Sequence, residues 1–193
     1  MNTYDFDKTI YNGDSTADFY LFSLRRHKRI LLLAPSLLGA ALRFYLFKRG
    51  TKTQFKEVMY RFLQRCDTER DVADFWRQNA CKIKRFYLAQ QQPDDVIISA
   101  SPVFLLAPIC EQLGIRHLIA SEVDPHTGRY TGENCHGAEK VRRFREQFGD
   151  AVTDAFYSDS HSDDPMAKIA QKAFMVKGEE CKPWEFNASC VIG

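Results

Sequence analysis

Past residue 92 the chain repeats one pattern: a short apolar run ends on a hydroxyl or acidic residue, and a helical stretch follows. "DDVIISAS" carries Val96, Ile97 and Ile98 and is expected to turn between Ser99 and Pro102. "PVFLLAPICEQLG" then reads as a helix, opened by Pro102 and closed on Gly114, as helix punctuation requires. "IRHLIAS" is a second strand and "TDAFYSD" a third. "DDPMAKIAQKA" predicts a helix with Pro165 near its first turn, and "FMVK" a last strand. Strands alternating with helices dictate a parallel α/β sheet wound on both faces. Such a sheet gathers the carboxyl ends of its strands along one edge, where open α/β folds bind ligands.

The chain starts "MNTYDFDKTIYNGDST", in which Tyr4 and Phe6 alternate with Asp5 and Asp7 as strand residues would. Aspartate is a poor strand former. Two acids one residue apart therefore mark either a frayed polar tail or a strand tip that carries chemistry. From about Gly13 to Gln92 the pattern is helical, with little strand character. This predicts a core made of 1–12 and 93–193 and a helical insertion over 13–92. Within the core, "SEVDPHTGRYTGEN" predicts a small hairpin or flap, and "HGAEKVRRFREQFG" an amphipathic helix ending at Gly149.

A length of 193 residues, 45% hydrophobic and 13% aromatic, suits one packed domain with an insertion. A net charge of +2 gives no basic field for nucleic acid. The six cysteines form no C-x-x-C pair and read as buried free thiols. No secretory signal can precede Asp5, which fits a reducing cytoplasm. "CVIG" at the end matches a prenylation box only superficially, and "NAS" at 187 means nothing without a secretory route. Nothing in the sequence reports oligomeric state.

One stretch has two readings. "ILLLAPSLLGAALRFYLF" has no charge from Ile30 to Leu42, is broken by Pro35 and Gly39, and lies between basic flanks. The uncharged run is short for a span of about 20 residues. The favoured expectation is the buried face of helices in the insertion. The sharper one is an interfacial segment drawn to anionic lipid, with peripheral membrane contact.

At the expected carboxyl edge of the sheet the sequence collects Asp5, Asp7 and Thr9 from the first strand and Ser99 from the second. Lys140 comes from the helix after the flap, and Asp159, Asp163 and Asp164 from "AFYSDSHSDD". Crowded carboxylates repel, and a hard divalent cation together with a lysine would relieve them. Mg2+ favours a few carboxylate oxygens plus substrate phosphate. The set describes a phosphate site, with hydroxyls and helix amides as further donors. His161 reads as solvent-facing, and His126 and His136 as surface or flap residues.

"DFDKT", "VIIS", "GAEKVRRF" and "YSDSHSDD" resemble, in order, the four motifs of the haloacid dehalogenase superfamily of phosphatases. The resemblance spans nearly the whole chain and is nearest to the phosphoserine-phosphatase-like subfamily IB, which includes phosphatidylglycerophosphate phosphatases. It implies a doubly wound Rossmann-like core with an inserted helical C1-type cap. It further implies a Mg2+-dependent phosphomonoester hydrolase acting on a small phosphate ester. Asp5 would be the nucleophile and Asp7 the general acid and base. Mg2+ would sit on Asp5, the Asp7 carbonyl and Asp159, with Asp163 a direct or outer ligand. Ser99, Lys140 and Thr9 would bind substrate phosphate. Metal contact should keep Asp5 ionised, while like charge and burial raise the pKa of Asp7. One departure stands out: phosphoserine phosphatases follow the second-motif serine with two glycines, where this chain has Ala100 and Ser101. That argues against phosphoserine itself. A membrane-associated lipid phosphatase and a non-catalytic phosphate-binding module are the alternatives.

Overall fold

In a computed structural model, which describes residues 1–48 and 51–186, the sheet has six strands. These are β1 (Thr3–Tyr4), β2 (Val96–Pro102), β3 (His117–Ser121), β4 (Thr153–Ser158), β5 (Ala170–Lys177) and β6 (Glu180–Pro183). Their order is β3-β2-β1-β4-β5-β6, parallel throughout except for the antiparallel edge strand β6. The chain thus starts at the centre of the sheet. Short β1 is held from both sides, by Val96 N–H on the Asn2 carbonyl and Asp5 N–H on the Tyr157 carbonyl, both at 2.9 Å.

The two-residue period of the strands sorts their side chains. Val96 and Ile98 face one core with Phe156, closed by Phe144 of α7 (Ala138–Phe148) and Met166 of α8 (Asp164–Ala167). Ile97, with Tyr4 and Phe6, faces the other core, covered by α6 (Val103–Gln112) through Leu105, Leu106 and Ile109. Between β1 and β2 run α1 (Ser15–Arg26), α2 (Ala34–Ala41), α3 (Lys52–Tyr60), α4 (Thr68–Asn79) and α5 (Arg85–Gln90). Phe19 of α1 and Phe75 and Trp76 of α4 belong to the same cluster as Tyr4, and Trp76 Nε1–H donates to the Leu105 carbonyl at 2.6 Å. The inserted helices and the sheet share a core.

Three sequence expectations change. Helix α8 is a single turn, and the residues expected to prolong it form β5. A parallel ladder to β4 and an antiparallel one to β6, through the two-residue turn Gly178–Glu179, outweigh the local helical pattern. Strand β2 does not turn at Ser99 but continues to Pro102 through a register shift, an irregularity that re-aims side chains at a strand tip. The apolar run is not buried. Residues Lys28–Leu46 form a 3-10 turn (Lys28–Leu33), α2 and a π-helical turn (Leu42–Leu46), and only 6% of that window is buried. It touches the body through Ile30, while most of its leucines face outward.

The cysteines also differ from expectation. Cys110 and Cys135 are buried, Cys66 is half-buried, Cys81 and Cys181 are exposed, and all five are free. Cys190, "NAS" and "CVIG" lie outside the described residues. The flap is a small turn tied by an isolated bridge between Val123 and Tyr130. At its tip Gly128 has φ +74°, and a Cβ there would lie 2.4 Å from the Tyr60 carbonyl oxygen, so only glycine seats the flap against α3.

A buried ion pair latches α1 to α4. The Asp71 carboxylate, fully buried, meets Arg26 Nε at 3.1 Å and His27 Nε2 at 2.6 Å, and Arg26 also reaches Asp74. His27, Cys66 and Asp71 also bring three ligand-type atoms within 4.8 Å of one another. Arg26 already supplies the cation there, and burial pushes the Cys66 thiol up to about 12. The cluster is a latch. Asp71 is the buried member and its partners are partly exposed, so Asp71→Ala is expected to cost about 2 kcal/mol. That corresponds to a thermal midpoint lowered by roughly 6 °C in calorimetry; a shift within about 1 °C would show that the pair contributes nothing.

Candidate active site

The carboxyl ends of β1, β2 and β4 meet at a cleft of about 580 Å³. Asp5 and Asp7 line it at the tip of β1, Ser99 at the bend of β2, Lys140 from α7, and Asp159 and Asp163 from the loop after β4. Asp5 and Lys140, 135 positions apart in sequence, are brought into contact by the central place of β1 in the sheet and by the packing of α7 against it.

Lys140 is the hub. It is the third residue of α7, which starts after Gly137 with φ +61° and stops at Gly149. The helix puts Lys140 and Phe144, four apart, on its inward face, so one fixes the helix to the core and the other reaches the cleft. Lys140 Nζ donates to Asp5 Oδ1 at 2.8 Å and to Asp163 Oδ2 at 2.7 Å. Ser158 Oγ donates to the same Asp163 oxygen at 2.7 Å. Burial works to lower the Lys140 pKa, and the carboxylates of Asp5 and Asp163 outweigh it, leaving the ammonium above its ordinary value. Burial pushes the Asp5 carboxyl up to about 7, with Lys140 pulling down and Asp163 and Asp7 adding to the rise.

Asp7 sits in a different environment. The Ser15 N–H, at the first turn of α1, donates to its Oδ1 at 2.6 Å, and Ser101 Oγ donates to its Oδ2 at 2.5 Å. Ser101 is held in turn by Thr16 Oγ1 at 2.9 Å. Burial raises the Asp7 pKa and Asp14 raises it further, against the two serine contacts. The like charge acting on Asp7 is chiefly Asp14, the N-cap of α1 and itself part of the cleft wall.

The other predicted residues divide. Ser99 is buried, lines the cleft and accepts the Ser101 N–H at 3.1 Å. Asp159 is half-buried at the cleft wall, its carboxyl raised by burial. Thr9 does not reach the cleft lining. It is wholly buried, and its Oγ1 accepts the Asp159 N–H at 3.0 Å, which ties the β1 loop to the β4 loop. Asp164 meets His161 and Trp184 at the surface side of its turn. His161 and His126 are exposed, whereas His136 lines the cleft.

Sequence reasoning missed Ser101, Lys84 and Lys56. Ser101 had a signal, since it replaces a glycine of the resembled motif. Lys84, nearly fully buried, donates from Nζ to the Lys8 carbonyl, and Lys8 itself adopts the left-handed φ of +59°. Such backbone is uncommon for a side-chain-bearing residue and needs outside support. Lys56 of α3 enters the cleft beside Ala100 and Asn134. Neither lysine has a local sequence signal.

The cleft suits a hard cation. Five carboxylates (Asp5, Asp7, Asp14, Asp159, Asp163) face three lysines, these acids offer only oxygen ligands, and Asp163 Oδ1 is buried without a hydrogen-bond partner.

Comparison with known proteins agrees with this geometry. The chain is 29% identical over 188 residues to protein CicA of Caulobacter vibrioides, covering 88% of this chain and 82% of that relative. A solved structure from Bordetella pertussis, of a protein with unknown function, matches with a TM-score of 0.69 at 23% identity, over 90% of this chain and 87% of that one. A probable phosphoserine phosphatase of Vibrio cholerae matches with a TM-score of 0.62 at 14% identity, over 89% of this chain and 55% of that one. The family model of haloacid dehalogenase-like hydrolases matches residues 3–168, and the chain belongs to that family.

Proposed function

We propose that the protein is a Mg2+-dependent phosphomonoester hydrolase working through an aspartyl-phosphate on Asp5. The observation that carries this reading is the buried Lys140 ammonium shared between Asp5 and Asp163 in a cleft also lined by Asp7, Ser99 and Asp159. The phosphatase named among the structural neighbours supports the same chemistry.

In this reading an Asp5 carboxylate oxygen attacks phosphorus while the ester P–O bond breaks, and Asp7 gives its proton to the departing oxygen. Asp7 then takes a proton from a water whose oxygen attacks the phosphorus. The bond to Asp5 breaks, inorganic phosphate leaves and both carboxyls return to their starting state. Burial and Asp14 keep Asp7 able to hold a proton, and Ser15 and Ser101 aim it. Lys140 and Ser99 bind the phosphoryl oxygens. Asp5, Asp159 and the Asp7 carbonyl would hold Mg2+, with Asp163 beside them; when bound it polarises the phosphoryl group and offsets the charge of the acids. Thr9 positions Asp159 through the hydrogen bond its hydroxyl accepts from the Asp159 N–H. Residues 13–92 act as the cap, contributing Asp14, Thr16 and Lys56 to the cleft.

Turnover of an aryl phosphate is expected to stop on adding EDTA, to return with Mg2+, and to fall by roughly 10⁴-fold or more in Asp5→Asn. Metal-independent turnover, or an active Asp5→Asn protein, would overturn the reading. Ser101→Ala removes the hydrogen bond that aims the Asp7 carboxyl, expected to lower kcat about tenfold with KM little changed. The loss should be largest for esters with poor leaving groups, because those depend most on Asp7. Equal losses for good and poor leaving groups would show that Ser101 does not act through Asp7.

A further inference from the structure

Between Phe19 and Lys56 the chain has nine lysines and arginines and no aspartate or glutamate. The most apolar part of the molecule lies inside that stretch, facing solvent. Leu31, Leu32, Leu38, Leu42, Tyr45, Leu46 and Phe47 are each between 44% and 71% exposed. An exposed apolar surface of this size marks an interaction site, and its charge restricts what can cover it. Arg25, Lys28 and Arg29 are exposed at one end, Lys48 at the other, and Arg43 between them. A second copy of this chain would bring like charge against like charge. An apolar face rimmed by cations matches a surface that is itself apolar beneath an anionic layer.

We infer that residues 28–48 form a docking surface for an anionic lipid bilayer, lying in the plane of the interface. The same window is long and apolar enough to cross a membrane by composition, but its contacts hold it on the protein. Ile30 is buried in the core, Arg61 reaches Ser36 from the turn after α3, and Phe44 and Tyr45 line the cleft that holds Asp5 and Lys140. Phe44 also stacks on Phe55 of α3, with ring centroids 5.7 Å apart. A helix pinned on one side can offer only its other side to lipid, which is the geometry of interfacial helices with basic flanks. The winding passes from 3-10 through α to π along the segment, with exposed leucines at both ends and Phe44 on the cleft wall. The inference stands on exposure and charge and does not require the hydrolase reading. It does place the cleft wall beside the lipid, so a phosphate ester held at a membrane could reach Asp5.

Flotation of the full chain with vesicles tests this. The chain should float with phosphatidylcholine vesicles containing phosphatidylglycerol, at least about tenfold more than with phosphatidylcholine alone at low salt, and the difference should shrink at high salt. Leu32→Glu with Leu46→Glu should abolish flotation, and Arg29→Gln with Lys48→Gln should reduce it at low salt. All four positions are exposed, so the variants should keep the parent thermal midpoint and, if the chain hydrolyses phosphate esters, the parent rate on a soluble aryl phosphate. No flotation with anionic vesicles at low salt would overturn the inference. So would binding that survives the paired leucine substitutions. Loss of aryl-phosphate turnover with flotation intact would tell against the hydrolase alone and leave the docking surface standing.

Discussion

The Lys140 ammonium makes the cleft affordable to the fold. Asp5 and Asp163 are buried acids from opposite ends of the chain, and their like charges would repel with nothing between them. One cation between them, with Ser158 donating to Asp163, allows both to stay close at the end of a sheet. Replacing such a triad by apolar residues would often leave a protein as stable or more so. Its presence is therefore weak evidence for stability and stronger evidence for chemistry, because its strongly perturbed carboxyl lies in a cleft.

The second acid is tied to a different part of the molecule. Asp7 takes its hydrogen bonds from the first turn of α1 and from Ser101, and Thr16 of α1 holds Ser101. The inserted helices therefore position Asp7 directly and do more than cover the site. Alanine at residue 100 and serine at residue 101 fit the same logic. A glycine pair would free the backbone near the substrate, whereas Ser101 trades that freedom for a fixed hold on Asp7. Lys84 works similarly on the turn between Asp7 and Thr9, supporting the left-handed Lys8 through its carbonyl.

Much of this was legible in the sequence because it follows from period and order. The alternation of Val96, Ile97 and Ile98 between two cores, the helix between Gly137 and Gly149, and the convergence of Asp5, Ser99, Lys140, Asp159 and Asp163 all follow from parallel strands ending on one edge. What was not legible depended on long-range partners. Ala170 begins a strand only because β4 and β6 flank it. Thr9 stands as a phosphate ligand in the resembled first motif, yet its hydroxyl oxygen accepts the Asp159 N–H and its side chain is buried behind the cleft. Lys56 and Lys84 resemble any other lysine until the fold brings a carbonyl to each.

The segment from residue 28 to 48 shows a deeper limit. An apolar run in a soluble protein implies burial only when an apolar surface is available to receive it. Here both faces of the sheet are already covered, one by α6 with α1 and α4, the other by α7 and α8. Ile30 is the one residue of the run that is fully buried, and the leucines beyond it have no place in either core. Their exposure follows from a core that is already complete. A segment that keeps seven large apolar side chains at the surface, among cations and without a single acid, accepts a solubility cost that the fold does not need. Such a cost is consistent with selection for a partner outside the chain, and the wall these residues share with the acidic cleft ties that partner's position to the site.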